Sequence, residues 1–94
     1  MQLRGGQGGG GTLGRTLAKE VARAGITVNS VLPGYIETEA LAGMNAEART
    51  AAKANVPMRR FGKPAEVAAA VHFLASEKAA YITGAALKID GGVY

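Results

Sequence analysis

The 94-residue sequence has no cysteine and no tryptophan, and its only aromatic residues are three tyrosines and two phenylalanines. Without cysteine the chain has neither disulfides nor thiolate metal ligands, which fits a reducing, cytoplasmic compartment. It has no apolar run long enough to cross a bilayer and no basic-then-apolar leader, so neither a membrane span nor secretion is expected. The single histidine, His72, has no carboxylate at ligand spacing, so no metal site is expected.

The charge is moderately positive, with 11 lysines and arginines against 7 acidic residues and a net charge of +4. A basic chain can bind nucleic acid, but the positive residues are spread along the sequence apart from the pair Arg59 and Arg60. Clustered aromatic side chains, on which bases could stack, are also absent from the sequence. We therefore expect no nucleic-acid partner, and an anionic cofactor or substrate accounts for the charge equally well.

Glycine is concentrated near the start, where six of the 14 glycines lie between positions 5 and 11. Residues 1–11 are interpreted as a flexible lead-in, because ordered glycine loses much backbone entropy and offers no side chain to pack. A dinucleotide fingerprint G-x-G-x-x-G also needs a buried strand before the glycines, and "MQLR" is a poor core strand. The pattern itself fits twice, at Gly6, Gly8 and Gly11 and again at Gly9, Gly11 and Gly14.

The regular pattern begins at Thr12. Leu13, Leu17 and Val21 recur every four residues and predict an amphipathic helix over residues 12–24, ended by Gly25. The β-branched segment "ITVNSVL", residues 26–32, lies between that glycine and a Pro-Gly pair and predicts a buried strand.

Two further helices and a second strand are predicted downstream. Residues 34–45 form a loop with a short helical piece, "EALAGM", and a helix follows over residues 46–54 with Asn45 as its N-cap. Pro64 opens a helix that runs to residue 76, and residues 85–90 predict a short strand. The order helix, strand, helices, strand indicates an α/β fold in which the helix from Pro64 connects two parallel strands by a right-handed crossover.

Three segments resemble the short-chain dehydrogenase/reductase family, most closely its 3-oxoacyl-carrier-protein reductases and related bacterial alcohol dehydrogenases. They are "LAKEVARAGITVNSVLPGYIET", "VPMRRFGKPAEVAAAVHFLAS" and "AAYITGAALKIDGG". The resemblance covers residues 12–94 and implies the last part of a partial Rossmann-type, doubly wound parallel sheet. Family members are more than twice as long, and the strand, glycine-rich turn and helix that bind the dinucleotide in them have no counterpart here.

The resemblance also places the glycine run where the family carries its catalytic Tyr-x-x-x-Lys. Counting back from "LAKE" puts Leu3 at the position of the tyrosine and Gln7 at that of the lysine. In the family the tyrosine transfers a proton to or from the substrate oxygen, and the lysine lowers the tyrosine pKa and holds the ribose. Neither leucine nor glutamine can do this, and Tyr-x-x-x-Lys occurs nowhere in the 94 residues. No catalytic residue is therefore predicted.

A cofactor-side loop follows the first predicted strand, at the carboxyl end where open α/β sheets bind ligands. By resemblance, the backbone from Gly34 to Ile36 faces the nicotinamide ring of NADP or NAD, and Thr38 offers its hydroxyl to the pyrophosphate. Residues 39–55 would form a mobile lid over the substrate. The residues predicted to bind the cofactor are Pro33, Gly34, Tyr35, Ile36 and Thr38.

The resemblance implies an NAD(P)-dependent oxidoreductase whose substrate is a small carbonyl compound or an acyl-carrier-protein thioester. Because the catalytic pair is missing, we expect the chain alone to be inactive. The alternative is a non-catalytic α/β self-association module, since the two long helices and the last strand make subunit contacts in the family. On either interpretation a homo-oligomer is expected.

Overall fold

The computed structural model describes residues 2–3, by their backbone, and residues 11–94. The glycine run and Gln7 therefore fall largely outside the described residues. The elements, in chain order, are strand β1 (Gln2–Leu3), helix α1 (Gly11–Val21), a 3-10 turn (Ala22–Ala24), strand β2 (Ser30–Pro33), helices α2 (Glu39–Ala42), α3 (Ala46–Ala54) and α4 (Pro64–Leu74), a second 3-10 turn (Glu77–Ala79) and strand β3 (Ala86–Ile89).

The three strands form one parallel sheet in the order β1-β2-β3. The central strand pairs with β3 over its whole length, from Ser30 opposite Ala86 to Pro33 opposite Ile89. Helices α2, α3 and α4 all lie between these two strands in the sequence, and α4 packs against β2. The predicted α/β class and the parallel pairing of the two predicted strands are thus confirmed.

Strand β1 is not predicted from the sequence. Gln2 pairs with Ser30 and Leu3 pairs with Val31, although the polar residues around them make a poor core strand. A β-ladder is built from backbone donors and acceptors alone, so a two-residue pairing at an open sheet edge does not require apolar side chains.

Helix α1 packs with a different face from the one its leucines define. Ala18 and Gly14 are buried, whereas Leu13 and Leu17 are 61% and 41% exposed. Ala18 lies close to Gly84, where a Cβ would stand only 3.6 Å from the alanine methyl. A helix that lies this close to another backbone segment must present small side chains to it. The predicted amphipathic helix is therefore present, but its leucine face points outward.

The loop before β3 is fastened to the start of β2 by a buried amide. The Asn29 side chain, 1% exposed, donates from Nδ2 to the Ile82 carbonyl and accepts at Oδ1 from the Ala85 N–H, both at 3.0 Å. The Thr83 hydroxyl accepts from the Val28 N–H. The predicted strand over 26–32 therefore enters the ladder only at Ser30, because the loop, and not a strand, bonds the residues just before it.

The core takes residues from the helices, from β2 and the segment before it, and from the connector between α3 and α4. Its buried apolar residues in the described part of the chain are Ala18, Val28, Val31, Ala52, Val56, Phe61, Leu74 and Ala79. Tyr81, in the loop before β3, is 102% exposed and does not pack in the core. It lies just after the second 3-10 turn, where the neighbouring Ala79 fills the interior instead.

Candidate cofactor-side site

The central strand ends in a turn that only glycine fits. The Gly34 N–H donates to the Ile89 carbonyl at 3.0 Å, and a Cβ on Gly34 would lie 2.7 Å from the Asp90 Cβ. The Pro-Gly turn is where the sequence predicts it, but the close approach is to Asp90 on the neighbouring strand end. The requirement for glycine therefore comes from packing inside the chain, which the sequence alone did not indicate.

The segment after this turn is held by a short parallel bridge between Ile36 and Gly62. The Gly62 N–H donates to the Tyr35 carbonyl at 2.9 Å, and the Glu37 N–H donates to the Gly62 carbonyl at 2.8 Å. Among the described residues, no hydrogen bond uses the amide or the carbonyl of Ile36 itself. One donor and one acceptor, fixed side by side on a held backbone, match the hydrogen-bonding groups of a primary carboxamide.

Thr38 begins helix α2 as its N-cap. Its hydroxyl oxygen accepts a long hydrogen bond, 3.4 Å, from the Leu41 N–H, and the side chain is exposed. Since a hydroxyl accepting one bond can still donate its own proton, Thr38 remains able to contact an anionic oxygen. Helix α2 has only four residues, so the hydroxyl and not the helix end is the useful group.

Tyr35 points toward a pocket at the carboxyl edge of β2 and β3. Its ring, 38% exposed, packs on the buried Phe61 ring with the two centroids 5.8 Å apart. The pocket encloses about 340 Å³ and is lined by Tyr35, Met58, Arg60, Gly62, Glu66, Lys88, Ile89, Asp90, Gly91 and Gly92. Tyr35 is the only predicted cofactor-binding residue in this lining, so the pocket adjoins the predicted loop and does not coincide with it.

The charged groups on the pocket wall are mostly engaged within the chain. Both terminal nitrogens of Arg60 donate hydrogen bonds to the Glu66 carboxylate oxygens, at 2.8 and 3.0 Å. The same carboxylate also accepts a hydrogen bond from the Lys63 N–H. These bonds, chiefly that from Arg60, lower the Glu66 pKa from 4.5 to about 2. The Asp90 carboxylate accepts from the backbone N–H groups of Gly92 and Tyr94, and these two bonds hold the turn that follows β3.

On the other side of the loop, Glu37 is paired with Arg49 of helix α3. Two guanidinium nitrogens donate to the two carboxylate oxygens at 2.9 and 3.0 Å, and one of them also donates to the Leu41 carbonyl at 2.7 Å. The hydrogen bond from Arg49 lowers the Glu37 pKa, and the same bond raises the pKa of Arg49. This pair joins the predicted cofactor segment to the predicted lid.

The five predicted residues therefore lie on one continuous segment, while the side chains around them come from distant parts of the sequence. Glu37 and Arg49 are not predicted, nor are Phe61, Gly62 and Asp90. No local pattern identifies them as parts of this site. Glu37 and Arg49 pair across twelve residues, Phe61 packs on the distant Tyr35, Asp90 restricts the distant Gly34, and Gly62 acts through its backbone. The motif "RRFG" could have drawn attention only to the glycine next to an aromatic residue.

A metal-ligand cluster and a membrane-spanning helix are both missing from the residues that the structure describes. Over residues 2–3 and 11–94 no three His, Cys, Asp or Glu side chains are grouped so that they could hold a metal ion. None of the helices described is both long and apolar enough to span a bilayer. His72 is exposed on α4.

Comparison with known proteins establishes the family. A family model described as enoyl-(acyl carrier protein) reductase matches residues 8–94. The chain belongs to this family, a branch of the short-chain dehydrogenases and reductases, of which it represents a carboxyl-terminal portion.

In the aligned regions, about half of the residues of the chain are identical to those of individual relatives. The chain is 54% identical over 80 residues to a 3-oxoacyl-[acyl-carrier-protein] reductase of Vibrio cholerae, and 50% identical over 80 residues to that of Escherichia coli. It is 45% identical over 78 residues to an acetoacetyl-CoA reductase of Allochromatium vinosum. These alignments cover 83–85% of the chain but only 32–33% of each relative, so the chain spans about a third of their length.

Proposed function

We propose that this chain is the cofactor-facing, carboxyl-terminal portion of an NAD(P)-dependent oxidoreductase of the 3-oxoacyl-acyl-carrier-protein reductase type. A nicotinamide dinucleotide supplies the hydride in such a reaction. The residues here would hold one side of the nicotinamide: the Ile36 backbone through its unused donor and acceptor, the Ile36 side chain as an apolar wall, and the Thr38 hydroxyl toward a phosphate oxygen. The substrate class would be a small carbonyl compound or an acyl-carrier-protein thioester.

The observation that carries this proposal is the held segment 35–38 at the carboxyl end of β2. Open α/β sheets bind ligands at that edge, and two backbone bonds to Gly62 fix the segment while leaving the polar groups of Ile36 unused. The names of the relatives support the reaction class, because two of them are 3-oxoacyl-[acyl-carrier-protein] reductases and one is an acetoacetyl-CoA reductase.

We further propose that the 94-residue chain alone does not catalyse the reduction. Carbonyl reduction needs a positioned proton donor as well as a hydride, and such a donor contributes about 10²- to 10⁴-fold to a rate. The sequence contains no Tyr-x-x-x-Lys, and counting from the matched helix puts Leu3 and Gln7 at those two positions. Neither side chain can supply a proton.

The test is an assay of NADPH and NADH oxidation with a β-ketoacyl thioester. The purified chain is expected to give no oxidation above the reaction without protein. The Vibrio cholerae reductase, assayed in parallel, shows that substrate and cofactor are competent. Turnover by the purified chain would overturn the proposal of inactivity.

The second candidate function is self-association without catalysis, and the exposed apolar side chains favour it. Leu13 and Leu17 on α1 and Phe73 on α4 are 61%, 41% and 45% exposed, and Leu87 on the edge strand β3 is 41% exposed. An open strand edge and outward leucines are features that proteins usually cover with a partner. We therefore expect a homo-oligomer, located in the cytoplasm as the lack of cysteine suggests.

Light scattering on the purified chain tests the self-association. The expected result is a mass above that of one 94-residue chain. Leu17→Glu should shift the mass toward the monomer, whereas Thr16→Glu, which introduces the same charge at the neighbouring exposed position, should not. A well-folded monomer of the unaltered chain would contradict this candidate.

A further inference from the structure

Helices α2 and α3 are attached to the rest of the chain mainly by polar contacts. No residue of α2 is buried, and Ala52 is the only buried residue of α3. Segments that bury little apolar surface open at low free-energy cost. The contacts that hold this pair of helices are therefore expected to decide how often it opens.

Arg49 makes the largest share of those contacts. From α3 it reaches Glu37 through two nitrogens and the Leu41 carbonyl at the end of α2 through one of them. Its guanidinium carbon also lies 5.1 Å from the centre of the Phe61 ring, over which Lys53 stands at 5.5 Å. One side chain thus connects α3, α2, the segment 35–38 and the connector that carries Phe61.

The position of Glu37 gives this connection its significance. Its carboxylate holds Arg49 while its backbone N–H donates to Gly62 at 2.8 Å, and its neighbours in the chain are Ile36 and Thr38. A displacement of α3 beyond the reach of these two side chains would therefore either pull on the backbone that the proposed function assigns to the cofactor or break the ion pair.

We propose that Glu37 and Arg49 are positioning residues that clamp the lid helices α2 and α3 onto the cofactor-facing segment. The clamp is ionic and solvent-accessible, with side chains 43% and 25% exposed respectively, so its strength falls as salt is raised. The role toward a cofactor rests on the proposed function, but the clamp itself can be measured on the 94-residue chain without nucleotide.

The experiment is amide hydrogen exchange of the unaltered chain at low and high sodium chloride concentration. Exchange in α3 should accelerate with salt by about two- to fivefold, the range expected for an exposed ion pair. Exchange in β2 and β3, which are held by backbone ladders, should change little. Salt-independent exchange in α3 would overturn the proposal, and because this arm needs no variant its outcome does not depend on whether a substituted chain folds.

Four variants test whether the ion pair between Glu37 and Arg49 causes the salt-dependent exchange in α3. Glu37→Gln should speed exchange in α3 by the same factor as salt, and Arg49→Gln by at least that factor, because it also removes the hydrogen bond to the Leu41 carbonyl. Both variants should remove the salt dependence. The exchanged pair, Glu37→Arg with Arg49→Glu, should restore part of the protection and its salt dependence, because the ion pair returns while the bond from position 49 to the Leu41 carbonyl does not. A purely steric role of either side chain would allow no such recovery. Arg60→Gln is the matched control, since it breaks the other bidentate pair and should leave α3 unchanged. Slow exchange in Arg49→Gln, or no recovery in the exchanged pair, would contradict the clamp.

Discussion

At the scale of single residues, Gly34 is the glycine of the described segment at which an added Cβ would make the closest contact. A Cβ there would meet both the Cβ of Asp90 at 2.7 Å and its Cα at 3.0 Å. Because one of these atoms is backbone, the clash cannot be relieved by rotating a flexible side chain. Gly34→Ala should lower the free energy of unfolding by about 1–3 kcal/mol, measured by urea denaturation.

Gly43→Ala is the matched control for that measurement. Gly43 caps α2 with an ordinary helical φ of −78°, and its nearest contact for a Cβ is a carbonyl at 3.5 Å. Its effect should stay within about 0.5 kcal/mol. Equal losses of stability in the two variants would show that the approach to Asp90 does not restrict the turn.

Asn29 is the second critical residue, because its buried amide satisfies two backbone groups of the loop before β3. Asn29→Ala leaves the Ile82 carbonyl and the Ala85 N–H without their partner, and it should cost about 2–4 kcal/mol of unfolding free energy. Asn55→Ala, at an exposed helix end, should cost far less. A loss no greater at Asn29 than at Asn55 would contradict the account of the loop.

These two residues also show what could be read from the sequence at this scale. The turn at Pro33 and Gly34 was predictable, since the pair ends a β-branched run. The identity of the group that Gly34 approaches was not, because Asp90 is far away in the sequence. Asn29 lies inside the predicted strand and carries no local sign that its side chain would bond another loop.

At the scale of elements, the start of α4 gives a prediction about acid. Glu66 has a folded-state pKa of about 2, below its ordinary value of 4.5. A group whose pKa is lowered by folding stabilises the fold above its unfolded pKa, and this contribution disappears as pH falls from about 4.5 toward 2.

Thermal unfolding of the unaltered chain and of Glu66→Gln should therefore differ at neutral pH and converge near pH 2. The difference is expected to be small because the Arg60 pair is exposed. A difference that persists unchanged into acid would mean that the Glu66 charge contributes nothing to the fold.

The helices were more predictable than the way they pack. Helix α3 has the bounds predicted from the Asn45 cap and the alanine-rich segment after it, Ala46–Ala54. Helix α4 begins at Pro64, also as predicted. The packing face of α1 was not predictable. The leucine spacing indicates an apolar face, but it does not tell whether this face or the face of small residues is buried against the rest of the molecule. The close approach of Ala18 to Gly84 determines which face is buried, and a contact between such distant residues cannot be predicted from hydrophobic periodicity.

At the scale of the whole molecule, the parallel pairing of β2 and β3 follows from the order of elements, and the family follows from motifs spread over residues 12–94. The added strand β1 was not predictable, because two residues give no pattern. The charged clamp between Glu37 and Arg49 depends on how α3 folds back over the loop. Family resemblance indicated a lid there without indicating what fastens it.

The most direct test of the central claim is the activity of a chimera. Residues 12–94 would replace the matching segment of the Vibrio cholerae reductase, so that the relative contributes its own residues before that point. NADPH or NADH oxidation with a β-ketoacyl thioester is the measurement. Clear oxidation by the chimera, with none by the 94-residue chain, is the predicted result; a folded chimera that oxidises neither cofactor would contradict the assignment of residues 33–38 to the cofactor.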